Sequence, residues 1–363
     1  MTKKVVPLHG DGGKMLAESI RQIVHSNKWE LPKPLPTTRE FGRRFGVSNT
    51  SAFRVLQKLQ IEGLLWQAEN GRYYLSQARS LVTKPKPIAC LLRKLQIWTK
   101  TYQSIMAGFS EACGVETTSM LFVHNETLVQ HPNLSEPPKF ATLTEQKQTL
   151  EDFLERSGNM VSGLLLDSAW SDKVLSSLRG KFERCVVLYR NSNLGFGGNV
   201  HMASEAGGML ALAHLMTRGF KEIWIARPFA GYAPIEEMIE ALIRAATEAG
   251  MARTKLKVVF AATPAERQSL IKQLKSSPSR IGVYCPDDNV SRILQQAFQE
   301  AKLPVPEKVG LLSGMGTIAV TEHKISSVQY DFQKIGKVAA EMLFGDALRK
   351  ISIEPELFFG GTT

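Results

Sequence analysis

The chain has 363 residues, 43% apolar and 22% charged, with a formal net charge of +11. That length exceeds one ordinary core and predicts two or three domains, while its longest apolar runs, such as G-L-L-L-D at 163–167, are far too short to cross a bilayer. The four cysteines, Cys90, Cys113, Cys185 and Cys285, form no C-x-x-C pair, so neither a zinc site nor a disulfide framework is indicated, and no metal or cofactor is expected.

The opening M-T-K-K-V-V-P-L-H-G-D-G-G lacks the apolar core of a secretory signal, which predicts a cytoplasmic protein with no membrane partner. Charge is unevenly placed. Residues 1–87 hold 8 Lys and 7 Arg against 6 acids, a net 15 − 6 = +9, whereas the other 276 residues hold 30 basic and 28 acidic groups, a net +2. A basic head on a nearly neutral body is the electrostatic footprint of a nucleic-acid-binding module joined to something else.

Within the head, Met15, Leu16, Ile20, Ile23 and Val24 form a helical apolar stripe. The prolines of L-P-K-P-L-P stop that helix. A short second helix follows in T-T-R-E-F-G-R-R-F, capped by Thr37 or Thr38, with Phe41 and Phe45 facing inward and Gly46 at its end. The third helix begins at V-S-N-T-S. At 100° per residue Ala52, Val55, Leu56 and Leu59 share one face, and Thr50, Arg54, Gln57 and Ile61 the opposite one. Ser48 is placed as its N-cap, and the remaining N–H groups of its first turn suit a phosphate. Asn70-Gly71 then predicts a two-residue hairpin turn between W-Q-A and R-Y-Y-L, with Arg72 at the tip. Three helices and a basic-tipped hairpin make up a winged helix-turn-helix, whose last helix enters a major groove.

The run L-P-T-T-R-E-F-G-R-R-F-G-V-S-N-T-S-A-F-R-V-L-Q-K-L-Q-I-E-G-L-L resembles the GntR-type winged-helix domain over residues 14–76, with the spacing of its parts kept. The resemblance implies that Arg39, Thr50 and the wing residues around Arg72 and Tyr73 face DNA, with Arg44, Ser48, Asn49, Ser51 and Arg54 beside them. Asn49 and Phe53 stand where the family pattern has other residues, so Arg54 is expected to take over part of the base reading.

Residues 77–87, with two prolines and three basic groups, read as an exposed linker. From 88 onward, I-A-C-L-L, S-M-L-F-V, S-G-L-L-L, C-V-V-L-Y, I-W-I-A, K-V-V-F-A, I-G-V-Y-C and K-V-G-L-L alternate with helical patterns such as 204–218, 234–250 and 289–302. Apolar strands alternating with amphipathic helices predict parallel sheets covered on both faces, and eight such strands predict two doubly wound subdomains in 88–363. H-P-N-L-S-E-P-P-K at 131–139 reads as a surface loop, and G-F-G-G-N at 195–199 as a turn near the crossover between subdomains.

Ligands of open parallel sheets sit beyond the carboxyl ends of the strands. That rule selects Arg93, Asp167, Arg190 and Asp288, although each taken alone also fits a turn residue or a helix cap. The segments at 205–219, 287–312 and 325–343 resemble, in the same order, three segments of LacI/GalR-type effector domains, which share the periplasmic-binding-protein fold. The resemblance implies a carbohydrate-like effector, held by Asp288 as polar anchor, Arg190 as donor and Tyr102, in the loop after the first strand, as wall. Trp98 and Trp170 are weaker wall candidates, and Asp167 a further polar one. Ala203, Met238 and Met315 stand where the family has polar ligand contacts, which predicts a more apolar pocket.

The expected function is a ligand-responsive transcription regulator, a repressor acting as a homodimer on operator DNA. An enzyme is the alternative class, but G-x-x-x-x-G-K-[ST], H-E-x-x-H and G-x-S-x-G are all missing. A solute-binding protein would share the large domain's fold and would need export.

Overall fold

The computed structural model describes residues 12–26, 29–76, 87–93, 100–113, 120–123, 128–130, 138–182, 184–345 and 347–363. Contacts divide the chain into two units, Met1–Pro85 and Lys86–Thr363. The expected linker falls almost wholly outside the described residues, as do Trp98 and most of the Pro-rich loop.

In the first unit, α1 (Gly12–Ser26), α2 (Thr38–Phe45) and α3 (Asn49–Ile61) precede a hairpin of β1 (Leu65–Gln67) and β2 (Tyr73–Leu75). Thr37 caps α2 in a reciprocal capping box with Glu40, and Gly46 ends it in the left-handed region at φ 66°. Ser48 caps α3 by accepting from the Ser51 amide. Leu16 and Ile20 pack on Phe41, Ala52, Leu56 and Leu59, and each fully buried aliphatic side chain contributes about 1.5–3 kcal/mol. Met15, expected in the stripe, is 61% exposed; it lies one residue, about 100°, away from Leu16. The hairpin also differs from expectation. Ala68 and Arg72 are joined by a hydrogen bond of 3.0 Å, so three residues, Glu69 to Gly71, make the connection. Gly71 sits at φ 75°, as the αL position of such a loop requires.

The second unit contains two six-stranded sheets. Its strands are β3 (Ile88–Leu91), β4 (Met120–Phe122), β5 (Val129–Gln130), β6 (Lys139–Phe140), β7 (Gly163–Leu166), β8 (Arg184–Tyr189), β9 (Gly198–Met202), β10 (Glu222–Arg227), β11 (Leu256–Phe260), β12 (Ile281–Cys285), β13 (Val309–Ser313), β14 (Ser326–Tyr330), β15 (Lys350–Ile353) and β16 (Pro355–Phe358). Between them run α4 (Lys100–Cys113), α5 (Leu143–Ser157), α6 (Asp172–Leu175), α7 (Ser204–Thr217), α8 (Ala233–Glu248), α9 (Pro264–Ser276), α10 (Asp288–Glu300), α11 (Ile318–Thr321) and α12 (Phe332–Phe344).

One sheet has the order β15-β9-β8-β7-β3-β4, all parallel, and the other β11-β10-β12-β13-β14-β16, with only β16 antiparallel. The first five strands of each six-stranded sheet thus follow the doubly wound order 2-1-3-4-5, whose ligand crevice opens at the carboxyl ends of the first and third. All eight predicted runs form strands. The chain passes between subdomains after β9, after β14 and after β15, because α7 packs on α8 and the second sheet while α12 packs on α4 and the first. The glycine run at 195–198 is the turn into β9, with Gly195 at φ 66° and Gly197 at φ 79°; the crossover itself comes later, at Ala203. Two glycines let α4 and α12 touch through their backbones: a Cβ on Gly336 would lie 1.8 Å from the Ile105 carbonyl oxygen, and one on Gly108 2.0 Å from that of Gln333.

Candidate functional site

Each unit carries one candidate surface. In the head, Arg39, Arg44, Ser48, Asn49, Thr50, Ser51, Arg54 and Arg72 are all exposed. Ser48 Oγ lies 3.1 Å from the Ser51 amide, and the neighbouring first-turn amides of Asn49 and Thr50 make no hydrogen bond among the described residues. Such free N–H groups at a helix N-terminus attract anions. At the hairpin tip the Arg72 amide donates to Asn70 Oδ1 at 3.0 Å and Gln67 Nε2 to the Gly71 carbonyl at 3.0 Å, which orders the loop that carries the Arg72 guanidinium. Glu40 is held below the ordinary carboxylate range, first by hydrogen bonds from Thr37 and then by the charges of Arg72 and Arg43. Arg43, also exposed, belongs to this basic surface and was missed because it carries no motif of its own. Tyr73 must be corrected: it is 6% exposed, part of the head's core, and its hydroxyl is buried without a partner. All three residues of β2, Tyr73, Tyr74 and Leu75, are buried, and the exposed tip ends at Arg72.

In the second unit, the carboxyl ends of β3 and β7 bring Arg93 and Asp167 together. The Arg93 guanidinium donates to both Asp167 oxygens, at 2.7 and 2.9 Å, and the Arg93 amide to one of them at 3.0 Å. Arg93 also donates to Tyr232 Oη at 2.9 Å, and Ser168 Oγ lies 2.8 Å from the same hydroxyl. Tyr232 immediately precedes α8 in the other subdomain, so this cluster fastens the two subdomains to each other. Burial alone would raise the Asp167 pKa; the charge and hydrogen bonds of Arg93 outweigh it and hold the carboxyl below its ordinary value. Tyr102 completes the cluster, with its hydroxyl 3.0 Å from Ser168 Oγ and its ring 4.3 Å from the Arg93 guanidinium carbon. It sits in the first turn of α4, not in a loop, and is 1% exposed.

The other predicted residues lie apart from this cluster. Arg190 donates to the Trp170 carbonyl at 2.7 Å and pairs with Asp172, while its Nε is buried without a partner. Trp170 is 1% exposed in the core beneath the first sheet, so it is no cleft wall. Asp288 accepts from Ser313 Oγ and from the Met315 and Thr317 amides, at 3.3 and 2.6 Å for the amides. Burial raises its pKa against the pull of these hydrogen bonds. The helix cap at this place is Asp287, whose Oδ1 accepts from the Val290 amide at 2.9 Å. Met238 and Met315 are 1% and 6% exposed, and Tyr189 donates to Met315 Sδ across the subdomains at 3.3 Å. The cleft is therefore closed around the chain's own side chains. Sequence reasoning missed Tyr189, Tyr232, Ser168 and Asp172; the carboxyl-end rule that selected Arg93 also reaches Ser168, beyond β7, and Tyr232, beyond β10.

Residues 212–357 match the periplasmic binding protein-like domain family. Among solved structures, a LacI family transcriptional regulator from Enterococcus faecium with bound ribose is 16% identical, with a TM-score of 0.60, over 76% of this chain and 98% of that one. The regulator CcpA from Weissella paramesenteroides with bound glucose gives 16% and 0.61 over 76% and 98%. CcpA of Lactococcus lactis gives 16% and 0.59 over 76% and 99%. The second unit has the periplasmic-binding-protein-like fold. No curated protein sequence matches the chain. No helix among the described residues is long and apolar enough to cross a membrane.

Proposed function

We propose that the chain is a ligand-responsive, DNA-binding transcription regulator, a repressor that acts as a homodimer. The observation that carries this reading is the exposed face of α3 and the hairpin tip. Arg54, Thr50, Asn49 and Arg72 all stand free of the head's core, on a unit that holds most of the chain's excess charge. In a winged helix-turn-helix, α3 lies in the major groove with its first turn against base edges, and the hairpin rests on the backbone. The second unit supplies the response, since its fold is shared with regulators crystallised with ribose and glucose. Two subdomains joined by three crossovers can exist in more than one relation, and a ligand that prefers one of them shifts the population.

Asp167, Tyr102, Arg190 and Asp288 then act through the closed arrangement that they hold. A ligand entering the cleft has to part Tyr232 from Arg93 and Ser168, and a sugar finds Met238 and Met315 where hydroxyl partners would be needed. Dimerisation places two heads on two half-sites and multiplies affinity through effective concentration.

Fluorescence anisotropy of the full chain on duplexes selected from a random pool tests the reading. Binding should weaken linearly in log–log form with salt. Arg72→Ala should lower the slope by about 0.9, and Arg54→Ala should cost about 1–3 kcal/mol of discrimination at one base position. Equal binding by the parent chain and both variants would overturn it, and a monomer on the selected duplex would overturn the homodimer.

A further inference from the structure

Phe53, on α3, is 38% exposed and belongs neither to the head's core nor to the partly buried side chains packed against that core. None of the roles described so far uses it. Phenylalanine is also a weaker helix former than alanine or leucine, and here it leaves apolar surface in water. A single exposed apolar side chain taken alone marks nothing. What decides is the company it keeps.

That company is polar. Asn49 stands one turn before Phe53 and Gln57 one turn after, each about 40° away around the helix axis, and both are exposed. Thr50 and Arg54, also exposed, flank this column on the side away from the core, while Leu56 is turned into it. Ile61, the other large apolar side chain that α3 exposes, lies two turns further on. A protein partner would need a contiguous apolar patch, since a stable interface buries about 800 Å² on each side. One ring set among carboxamides, a hydroxyl and a guanidinium offers nothing of that extent.

The arrangement suits a small apolar group surrounded by hydrogen-bonding ones. The major groove presents such a group, the 5-methyl of thymine, beside thymine O4 and with N6 and N7 of adenine across the pair. Carboxamides pair with adenine N6 and N7, and a phenyl ring packs on the thymine methyl. Duplex DNA is also the partner that charge selects, because residues 1–87 carry a net +9. We infer that Phe53 is a base-reading residue: its ring packs on the 5-methyl group of a thymine in the major groove, and the operator carries an A·T pair there. The inference rests on the regulator reading and adds to it a base that α3 selects.

Fluorescence anisotropy of the full chain on the selected duplex tests it, with each thymine replaced in turn by deoxyuridine. That exchange keeps the base pair and removes only the methyl. At one position in each half-site it should weaken binding about fourfold, the contribution of one buried methyl group, and 5-bromodeoxyuridine, whose bromine is close to a methyl in size, should restore it. Phe53→Ala should bind the thymine duplex about as weakly as the parent chain binds the deoxyuridine duplex. It should not respond to the exchange at that position, while keeping the parent's response elsewhere, as a double-mutant cycle between ring and methyl requires. If the alanine variant melts below the assay temperature, Phe53→Gln, which keeps a long side chain without an apolar face, takes its place with the same expectation. Indifference of the parent chain to every thymine methyl, or a Phe53 variant with the parent's full response at every thymine, would overturn the inference and leave the regulator reading standing. Absence of binding to any duplex would overturn the regulator reading and this inference with it.

Discussion

The head and the cleft use the same residue types in opposite ways. Arg39, Arg54 and Arg72 stand exposed, whereas Arg93 and Arg190 are each 5% exposed, with every hydrogen bond turned onto the chain itself. An arginine that leaves its donors to solvent costs the fold little and is available to a partner. One whose donors are consumed inside holds elements together and is costly to remove. Position relative to the strand and helix ends selects both kinds equally, so the number of satisfied donors, rather than residue type or place in the chain, tells contact from clasp.

The largest expected effect lies in the cleft. Arg93→Met should leave Asp167 buried without its cation and lower the stability of the second unit by about 3–5 kcal/mol, read by chemical denaturation. The amides of Arg93 and Ala169, at 3.0 and 2.8 Å from the carboxylate, keep the loss near the lower figure. Replacing both partners, Arg93→Met with Asp167→Leu, should restore much of it, since no charge is then left unpaired. An undisturbed single variant would erase the contrast with the head.

A smaller effect separates the clasp from its neighbourhood. Burial pushes Glu237 up from its ordinary value to about 7, against the Asn191 amide and the Arg190 charge, which pull it down. The folded state therefore holds this proton more tightly than the unfolded chain. The stability it confers is complete below the unfolded value and declines as pH rises towards 7, by at most about 3 kcal/mol. Partial exposure of the side chain reduces that figure. Glu237→Gln removes the titration, so the stability difference between variant and parent should grow in the variant's favour from about pH 4.5 to 7 and level off above it. Parallel denaturation curves at pH 5 and 8 would contradict the direction.

Local chemistry leaves its mark in this sequence, and pairing between distant strands does not. Every apolar run named from the sequence became a strand; the central ones are buried along most of their length, as strands covered on both faces must be, whereas β4 and β11, at the sheet edges, stay partly exposed. β14, β15 and β16 left a weaker mark: S-S-V-Q-Y and K-I-S-I mix polar with apolar residues. The caps at Ser48 and Gly46 were legible because capping is local chemistry. In the cleft, Arg93 and Asp167 could be placed at strand ends, but their pairing depends on β3 lying beside β7, 74 residues apart in sequence, and nothing local encodes that. Tyr232 and Tyr189 escaped notice for the same reason. Asn70-Gly71 marks the turn but not its length, since the Ala68 to Arg72 pairing that fixes it is set by strand register.

In the head, the exposed arginines should behave unlike Arg93 in stability. Arg39→Ala should change the head's stability by no more than about 0.5 kcal/mol while weakening binding to all duplex sequences alike, as the loss of a phosphate contact does. Thermal melting and anisotropy on two unrelated duplexes check both halves. A stability loss comparable to that of Arg93→Met would place Arg39 among the clasps.

The last variant tests Tyr73, expected on the DNA face and found in the head's core. Tyr73 is buried in the head's core with a hydroxyl that finds no partner, and burial raises its pKa. An unpaired buried hydroxyl is a cost, of about 1–3 kcal/mol when wholly cut off from water. Tyr73→Phe keeps the ring against Leu16, Leu65 and the rest of that core and removes only the oxygen. It should therefore leave stability unchanged or raise it by up to about 1 kcal/mol, and leave duplex affinity as it was. If the hydroxyl instead meets a phosphate, the same change lowers affinity for every sequence and makes the salt dependence shallower without touching stability. The two outcomes differ in which measurement moves, so one variant, melted and titrated side by side with the parent chain, assigns Tyr73 to the core or to the DNA face.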